Sequence, residues 1–256
     1  MEKLLNTNKP AEVIKPNDGD SISKDGDFMN SKIYLFSDGT IETMLYEPGW
    51  NKTRKQVNKK AAINKKAARG ESFDYERNRG KTITNAKTRV RRLIKHYKLR
   101  YLIVLVVGDE SITIKEADSK VKYFRNKLKT DFPIFKTWIT SRFYNEINQL
   151  CYKILTDIFL SPSALQEYWK HGNFYAEQCE GSAEFIASNF TANFNDKRFQ
   201  SYKLYSPAAG MNLHFEELYS PNLGALDNYI LSNYPGKSKK FDKKFGGGNV
   251  NMLIYS

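Results

Sequence analysis

Cysteine and histidine are scarce in this chain, and their scarcity excludes several kinds of chemistry. Among 256 residues there are two cysteines, Cys151 and Cys179, and three histidines. Two cysteines cannot build a disulfide framework or a four-thiolate zinc site, so we expect a protein of a reducing compartment such as the cytoplasm. His96, His171 and His214 lie too far apart in the sequence to form a closely spaced metal motif.

Long apolar runs are also missing. The longest run, Tyr101–Val107, is far shorter than the ~18–20 residues that a membrane-spanning helix needs. The first residues, Met-Glu-Lys-Leu-Leu-Asn, lack the apolar core of a secretory signal. The sequence therefore predicts neither a membrane partner nor export.

Acidic residues are absent between Glu76 and Asp109, within the most basic part of the chain. Residues 51–100 contain 18 Lys and Arg against three acids, a charge of +15, whereas the other 206 residues carry 23 basic and 25 acidic groups, a charge of −2. An apolar content of 40% and an aromatic content of 14% are too high for a disordered polycation. Basic charge concentrated on a near-neutral protein favours nucleic acid first and an anionic membrane surface second, and of the two we expect only nucleic acid as a partner.

The order of the predicted elements favours an α+β fold. From Tyr101 onward the pattern predicts the order β-α-β-β-α-β-α-β, which suits an antiparallel sheet backed by helices on one face, in the ferredoxin-like class. Ser161 and Pro162 are typical of an N-cap and a first helical position, and Asp38-Gly39 of a hairpin turn. The expected parts are a disordered arm (1–30), a hairpin with a basic helical segment (31–80), an α+β domain (81–211), and a C-terminal helix with a flexible basic tail (212–256).

The helix predicted at Asn85–Lys98 is the main candidate for binding nucleic acid. Its apolar residues recur at helical spacing, and no acid balances its basic residues at i±4, so an external polyanion is the expected compensation. The expected nucleic-acid contacts are Lys87, Arg89, Arg91, Arg92, Lys95 and Lys98 of this helix, Lys59, Lys60, Lys65, Lys66 and Arg69 of the preceding segment, and Lys153.

Four stretches within residues 81–211 occur in an order typical of one family. They are the basic helix and strand that begin at Lys81-Thr-Ile-Thr-Asn-Ala, the pair Trp138-Ile-Thr and Leu150-Cys-Tyr-Lys-Ile-Leu, the segment Glu167-Tyr-Trp-Lys-His-Gly-Asn-Phe, and Ala183–Phe194 followed by Tyr202-Lys-Leu-Tyr-Ser-Pro. The ordered set resembles the rolling-circle replication initiators (Rep proteins) of the HUH endonuclease superfamily, of the plasmid and filamentous-phage type. The resemblance implies the ferredoxin-like sheet of that family and a DNA-nicking activity.

The resemblance also implies a metal motif and a nucleophile, and this sequence departs from the family at both. The family holds a divalent cation with two histidines on one face of a strand, where the chain has Cys151 and Lys153. The helix that supplies the family's tyrosine nucleophile has Phe185 and Phe190 instead, which we expect to pack in the core since they have no oxygen with which to attack. The resemblance therefore implies a degenerate Rep fold without a cofactor.

Lys153 has two interpretations. Its ammonium fills the vacant metal position and neutralises a phosphate, or it lies on an edge strand and reaches water. A metal site made of Cys151, Asp157 and Glu177 is a further alternative.

Three functions are open at this point. The first is a DNA-binding protein of a plasmid, phage or mobile element, without nicking activity, that binds single-stranded, hairpin or duplex origin-like DNA and replication proteins in the cytoplasm or nucleoid of a bacterial host. The second is an active nickase that uses Mg²⁺ or Mn²⁺ and a displaced nucleophile, Tyr202 or Tyr205. The third is an interaction adaptor whose basic block binds an acidic partner.

Overall fold

The computed structural model describes residues 29–46, 75–220, 223–245 and 250–256. Within these ranges the chain forms five α-helices and two five-stranded antiparallel sheets, so the predicted α+β class is confirmed. No helix in these ranges combines the length and the apolar character needed to cross a membrane. The chain divides into two compact units, one built from strands of its two ends and the other from residues 75–213.

The first unit contains a sheet of strand order β8-β1-β2-β10-β9 and one helix. Its elements are β1 (Met29–Leu35), β2 (Ile41–Tyr46), β8 (Phe215–Ser220), α5 (Leu223–Asn233), β9 (Lys239–Phe245) and β10 (Val250–Tyr255). The hairpin predicted around Asp38-Gly39 is confirmed: β1 pairs with β2, and Gly39 has a φ of +78°, which glycine adopts at little cost. Leu226 and Ile230 of α5 are buried against the sheet.

The predicted C-terminal helix is present as α5, preceded by β8. The prediction of a flexible basic tail is wrong, because that part contains β9, which pairs with β10. Strand β9 lies at the edge of the sheet, a position that tolerates lysines. Its sequence, KKFDKKF, is therefore hard to distinguish from that of a flexible basic tail. The predicted arm up to residue 28 and the predicted basic segment, with Lys59, Lys60, Lys65, Lys66 and Arg69, lie outside the described residues.

The second unit contains a sheet of strand order β6-β3-β5-β4-β7. Its elements are α1 (Tyr75–Tyr97), β3 (Tyr101–Val106), α2 (Ile114–Asp131), β4 (Trp138–Tyr144), β5 (Leu150–Thr156), α3 (Pro162–Tyr168), β6 (Phe174–Gln178), α4 (Ala183–Thr191), two 3₁₀ turns (Ala192–Asn195 and Lys197–Phe199) and β7 (Tyr205–Pro207). The predicted order of strands and helices is confirmed, and Ser161 caps α3 through a hydrogen bond from the Ala164 amide to its Oγ. The last strand of that order, β7, begins only at Tyr205, after the two 3₁₀ turns.

Helices lie on both faces of this sheet, so the expectation of helices on one face is wrong. On one face Tyr152 and Arg142 form hydrogen bonds to Asp118 of α2, whereas on the other face Lys153 donates to Asn189 of α4. Both faces of the central strands are therefore buried, which explains why β3 is a continuous apolar run rather than an alternating one.

Each pair of helices packs together on its own side. Phe124 of α2 and Trp169, at the end of α3, make an edge-to-face contact with their ring centres 5.8 Å apart. On the opposite face α1 packs beside α4, and Arg91 of α1 forms an ion pair with Glu184 of α4 at 3.4 Å. The basic helix α1 is thus fixed next to α4.

Candidate functional site

A cavity of about 360 Å³ lies between β5 and α4, and we call it the Lys153 cavity. Its lining residues are Leu102, Lys153, Leu155, Glu177, Gln178, Cys179, Glu180, Phe185, Ile186, Asn189 and Phe190. Of the candidate site residues named in the sequence analysis, Lys153, Glu177, Phe185 and Phe190 line this cavity. Cys151 shares the sheet face of Lys153, but its side chain is buried and does not line the cavity.

The ammonium of Lys153 is held at the end of α4. Its Nζ donates to the Asn189 carbonyl oxygen at 3.0 Å and to Asn193 Oδ1 at 3.3 Å, and lies 4.8 Å from the centre of the Phe143 ring. Asn189 is in the last turn of α4, where carbonyls lack helical partners and the helix dipole favours a cation. Burial lowers the pKa of Lys153. An ammonium has three donors, and these two acceptors engage two of them.

The edge-strand interpretation of Lys153 is wrong, because β5 is a central strand between β3 and β4. The residues at the metal-motif positions do not fit a divalent cation either. An ammonium repels a cation, while the Cys151 thiol donates to the Gln149 carbonyl oxygen and burial raises its pKa. Across the described ranges, no three His, Cys, Asp or Glu side chains are grouped closely enough to hold a metal ion, which also removes the set Cys151, Asp157 and Glu177.

The two phenylalanines of α4 have different environments. Helix α4 begins after Ser182, whose Oγ accepts a hydrogen bond from the Phe185 amide at 3.3 Å. Phe190 is buried, as predicted for a core residue, but Phe185 is 59% exposed, so the prediction that it packs in the core is wrong. Its ring lies against Gly181, where a Cβ atom would be 3.1 Å from the ring and where φ is +99°. Phe185 therefore presents an aromatic surface at the rim of the cavity.

Two glutamates line the Lys153 cavity, which the sequence did not indicate. Glu177 and Glu180 are exposed and line the cavity together with Lys153, which gives the lining a formal charge of −1. A phosphate is not favoured in such a cavity, whereas an uncharged ring with amino and carbonyl groups finds acceptors, a donor and an aromatic surface. The alternation of β6 could have indicated Glu177, because its partner across the strands is Leu102, which lines the same cavity.

Tyr202 and Tyr205, the alternative nucleophiles of the nickase hypothesis, lie on opposite faces of the sheet. Tyr205 pairs with Ser141, which pairs with Lys153, so Tyr205 is on the face of the Lys153 cavity, two strands away. Burial raises the pKa of Tyr205, which opposes formation of the phenolate that would attack a phosphate. Tyr202 lies beneath the guanidinium of Arg142, 5.2 Å from its ring centre, and so belongs to the α2 face.

The basic helix α1 exposes fewer charges than its sequence suggests. Lys87, Arg89 and Lys98 are exposed, as predicted, and Lys95 is partly buried. Arg92 is only 6% exposed, so its assignment to the binding surface is wrong.

The charge of Arg91 is partly neutralised by an ion pair within the fold. The residue is partly buried and pairs with Glu184, a carboxylate that is distant in sequence and that no i±4 analysis of α1 could find. Since α1 packs beside α4, the exposed residues Lys87 and Arg89 lie on the helix next to the one that lines the Lys153 cavity.

Comparison of the chain with protein-family models, with curated proteins and with solved structures gives no match. The site combines exposed cations on α1 with a neighbouring cavity that has an aromatic rim, an ammonium and two carboxylates. Such an arrangement can bind a molecule that carries both anionic groups and uncharged rings.

Proposed function

We propose that this chain is a Rep-like DNA-binding protein of a plasmid, phage or mobile element, derived from rolling-circle replication initiators and without nicking activity. Its fold is consistent with this class. Strands β3 to β6 follow the connectivity β-α-β-β-α-β and lie in the spatial order β6-β3-β5-β4. That connectivity and order are those of the ferredoxin-like class, to which the HUH fold belongs.

The observation that carries the proposal is that Lys153, Phe185 and Phe190 line one cavity. In an HUH enzyme the metal ligands and the tyrosine must act on one phosphate, so the corresponding positions have to be neighbours. Lys153, Phe185 and Phe190, the residues proposed to correspond to three of those positions, supply an ammonium and two phenyl rings but neither a metal ligand nor a nucleophile, while Cys151 lies on the same sheet face outside the cavity. The proposal is therefore a binding protein rather than an enzyme.

The proposed binding mode divides the DNA between two surfaces. Lys87 and Arg89 of α1 contact backbone phosphates, since they are exposed. An unpaired base enters the Lys153 cavity and stacks on Phe185, as bases do in proteins that bind single strands. Glu177 and Glu180 accept hydrogen bonds from amino groups of the base, and Lys153 donates to its carbonyl oxygen.

Fluorescence anisotropy with a labelled DNA stem-loop that has an unpaired loop tests the proposal. The double variant Lys87→Ala/Arg89→Ala should bind more weakly and lower the salt slope by about 1.4, since each phosphate contact to a single strand contributes ~0.7. The matched control is Lys115→Ala/Lys129→Ala, which removes two exposed charges from α2 and should bind like the wild type. Equal losses in both variants, or binding that salt does not weaken, would contradict the proposal, and capture of an acidic protein alone would favour the adaptor.

One observation favours the nickase alternative: Tyr205, Ser141 and Lys153 form a row across three strands on one face. A covalent protein–DNA adduct formed with Mn²⁺ or Mg²⁺, and lost on Tyr205→Phe, would establish that alternative. We expect no adduct, because burial raises the pKa of Tyr205 and the residues at the metal-motif positions do not fit a cation.

A further inference from the structure

A second cavity, of about 190 Å³, lies on the opposite face of the same sheet, between α2 and strands β4, β5 and β7. We propose that this cavity binds a phosphate group, either inorganic phosphate or a phosphate monoester. Its charged walls are Asp118, Lys122 and Arg125 of α2 and Arg142 of β4. The proposal does not depend on DNA binding at the Lys153 cavity.

The single carboxylate of this cavity is already engaged. Arg142 donates from Nε to Asp118 Oδ1 at 2.6 Å and from Nη2 to Oδ2 at 2.5 Å, and the Tyr152 hydroxyl donates to Oδ1 at 2.8 Å. Burial raises the pKa of Tyr152, so its hydroxyl stays protonated and acts as a donor. Asp118 is therefore held in hydrogen bonds with Arg142 and Tyr152, and a single carboxylate does not neutralise two guanidinium groups.

That second guanidinium belongs to Arg125. Its Nη1 donates to Thr140 Oγ1 at 2.9 Å, but its Nε is buried and has no hydrogen-bond partner among the described residues. Burial is the main cause that lowers the pKa of Arg125, while Asp118 attracts its guanidinium and Arg142 repels it. Taking a guanidinium out of water is costly, and an oxyanion in the cavity, which Arg125 lines, would accept charge-assisted hydrogen bonds from this guanidinium.

The charge of the walls favours phosphate over a carboxylate. Three cationic side chains and one carboxylate give the walls a net charge of +2. A phosphate monoester carries a charge of about −1.5 to −2 near neutral pH, which balances these walls better than the single negative charge of a carboxylate or a phosphodiester. The site is reachable, because the side chains of Arg142 and Asp118 are 16% and 30% exposed. Its volume of about 190 Å³ is several times the ~30 Å³ that a water molecule occupies, enough for a tetrahedral oxyanion.

Isothermal titration calorimetry of the full chain with inorganic phosphate, at ionic strength held constant with chloride, tests the site. The wild type should bind one phosphate, and Arg125→Met should bind it about tenfold more weakly or worse, because a charge-assisted hydrogen bond is lost. The matched control is Arg198→Met, an exposed arginine already paired with Asp196, which should bind like the wild type. No saturable phosphate binding by the wild type, or equal affinity in Arg125→Met, would overturn the proposal.

Two further measurements keep the test decisive. If Arg125→Met does not fold, Arg125→Lys keeps the charge, removes the planar fork of guanidinium donors and should also weaken binding. A nucleoside 5′-monophosphate should compete with inorganic phosphate in the wild type if the cavity accepts monoesters, and should fail to compete if it accepts only the free ion. Competition by an oligonucleotide without a terminal phosphate would overturn the assignment to a dianion.

Discussion

The exposed ring of Phe185 gives the sharpest test of base binding in the Lys153 cavity. Stacking of one base on an aromatic side chain contributes about 1–3 kcal/mol. Since 1.4 kcal/mol corresponds to a factor of ten, Phe185→Ala should weaken binding of a stem-loop DNA by about 5- to 150-fold. The phosphate contacts of α1 should be unchanged, so the salt slope of the variant should equal that of the wild type.

The same substitution should leave the fold intact. Truncating a fully buried phenylalanine costs about 3–5 kcal/mol, and Phe185, at 59% exposed, has less than half of its surface buried. The expected loss in the free energy of unfolding is therefore about 1–2 kcal/mol, or a fall in the melting temperature of roughly 2–8 °C. Circular dichroism with thermal unfolding measures this loss separately from binding.

Two controls separate stacking from a general loss of surface. Tyr123→Ala removes an aromatic ring that is 67% exposed on α2, on the other face of the sheet, and should bind DNA like the wild type. Phe185→Trp keeps an aromatic surface and should bind within a few-fold of the wild type. An abasic site can be placed at each loop position in turn. At the position of the stacked base, Phe185→Ala and the wild type should bind the abasic DNA with equal affinity. Affinity of Phe185→Ala within twofold of the wild type would refute base stacking at this residue.

Two further predictions concern stability. Burial lowers the pKa of Lys153, so between that pKa and the ordinary value of 10.5 the unfolded chain binds more protons than the folded chain. The free energy of unfolding should therefore rise with pH in this window, and it should rise less in Lys153→Met. Urea unfolding at several pH values measures both slopes. Lys98 ends α1 with a φ of +53°, so Lys98→Gly should raise the free energy of unfolding by about 0.5–1 kcal/mol, whereas Lys87→Gly in the middle of α1 should lower it by about 1 kcal/mol. A lower melting temperature for Lys98→Gly would contradict the left-handed end of this helix.

The order of elements in the second unit could be predicted because its signals are local. The apolar run at Tyr101 marks a central strand, and Ser161-Pro162 marks the start of α3. The Lys-rich strand β9 could not be recognised, because an edge strand with few apolar residues shows no alternation. The same limit applies to the placement of helices: a buried strand is compatible with helices on either face, and the sequence does not distinguish a one-sided from a two-sided arrangement.

Part of the candidate site could be predicted in the same way. Strand alternation places Cys151 and Lys153 on one face of the sheet, which the structure has as well. The exposure of Phe185 and the burial of Arg92 depend on how α4 and α1 are rotated against the sheet. Rotation is set by packing between elements distant in sequence, so helical periodicity alone assigns both residues to the wrong environment.

The charge of α1 that first indicated nucleic acid is only partly available for binding. Of its six candidate cations, Arg92 is buried, Arg91 faces Glu184, and Lys95 is partly buried, which leaves Lys87, Arg89 and Lys98 exposed. Three phosphate contacts to a single strand give a salt slope of about −2. A measured slope near −2 would assign the phosphate contacts to α1, whereas a slope near −4, equivalent to six contacts, would require the basic segment 51–69 to bind as well. Because the base in the Lys153 cavity releases no counterions, stacking cannot account for the steeper value.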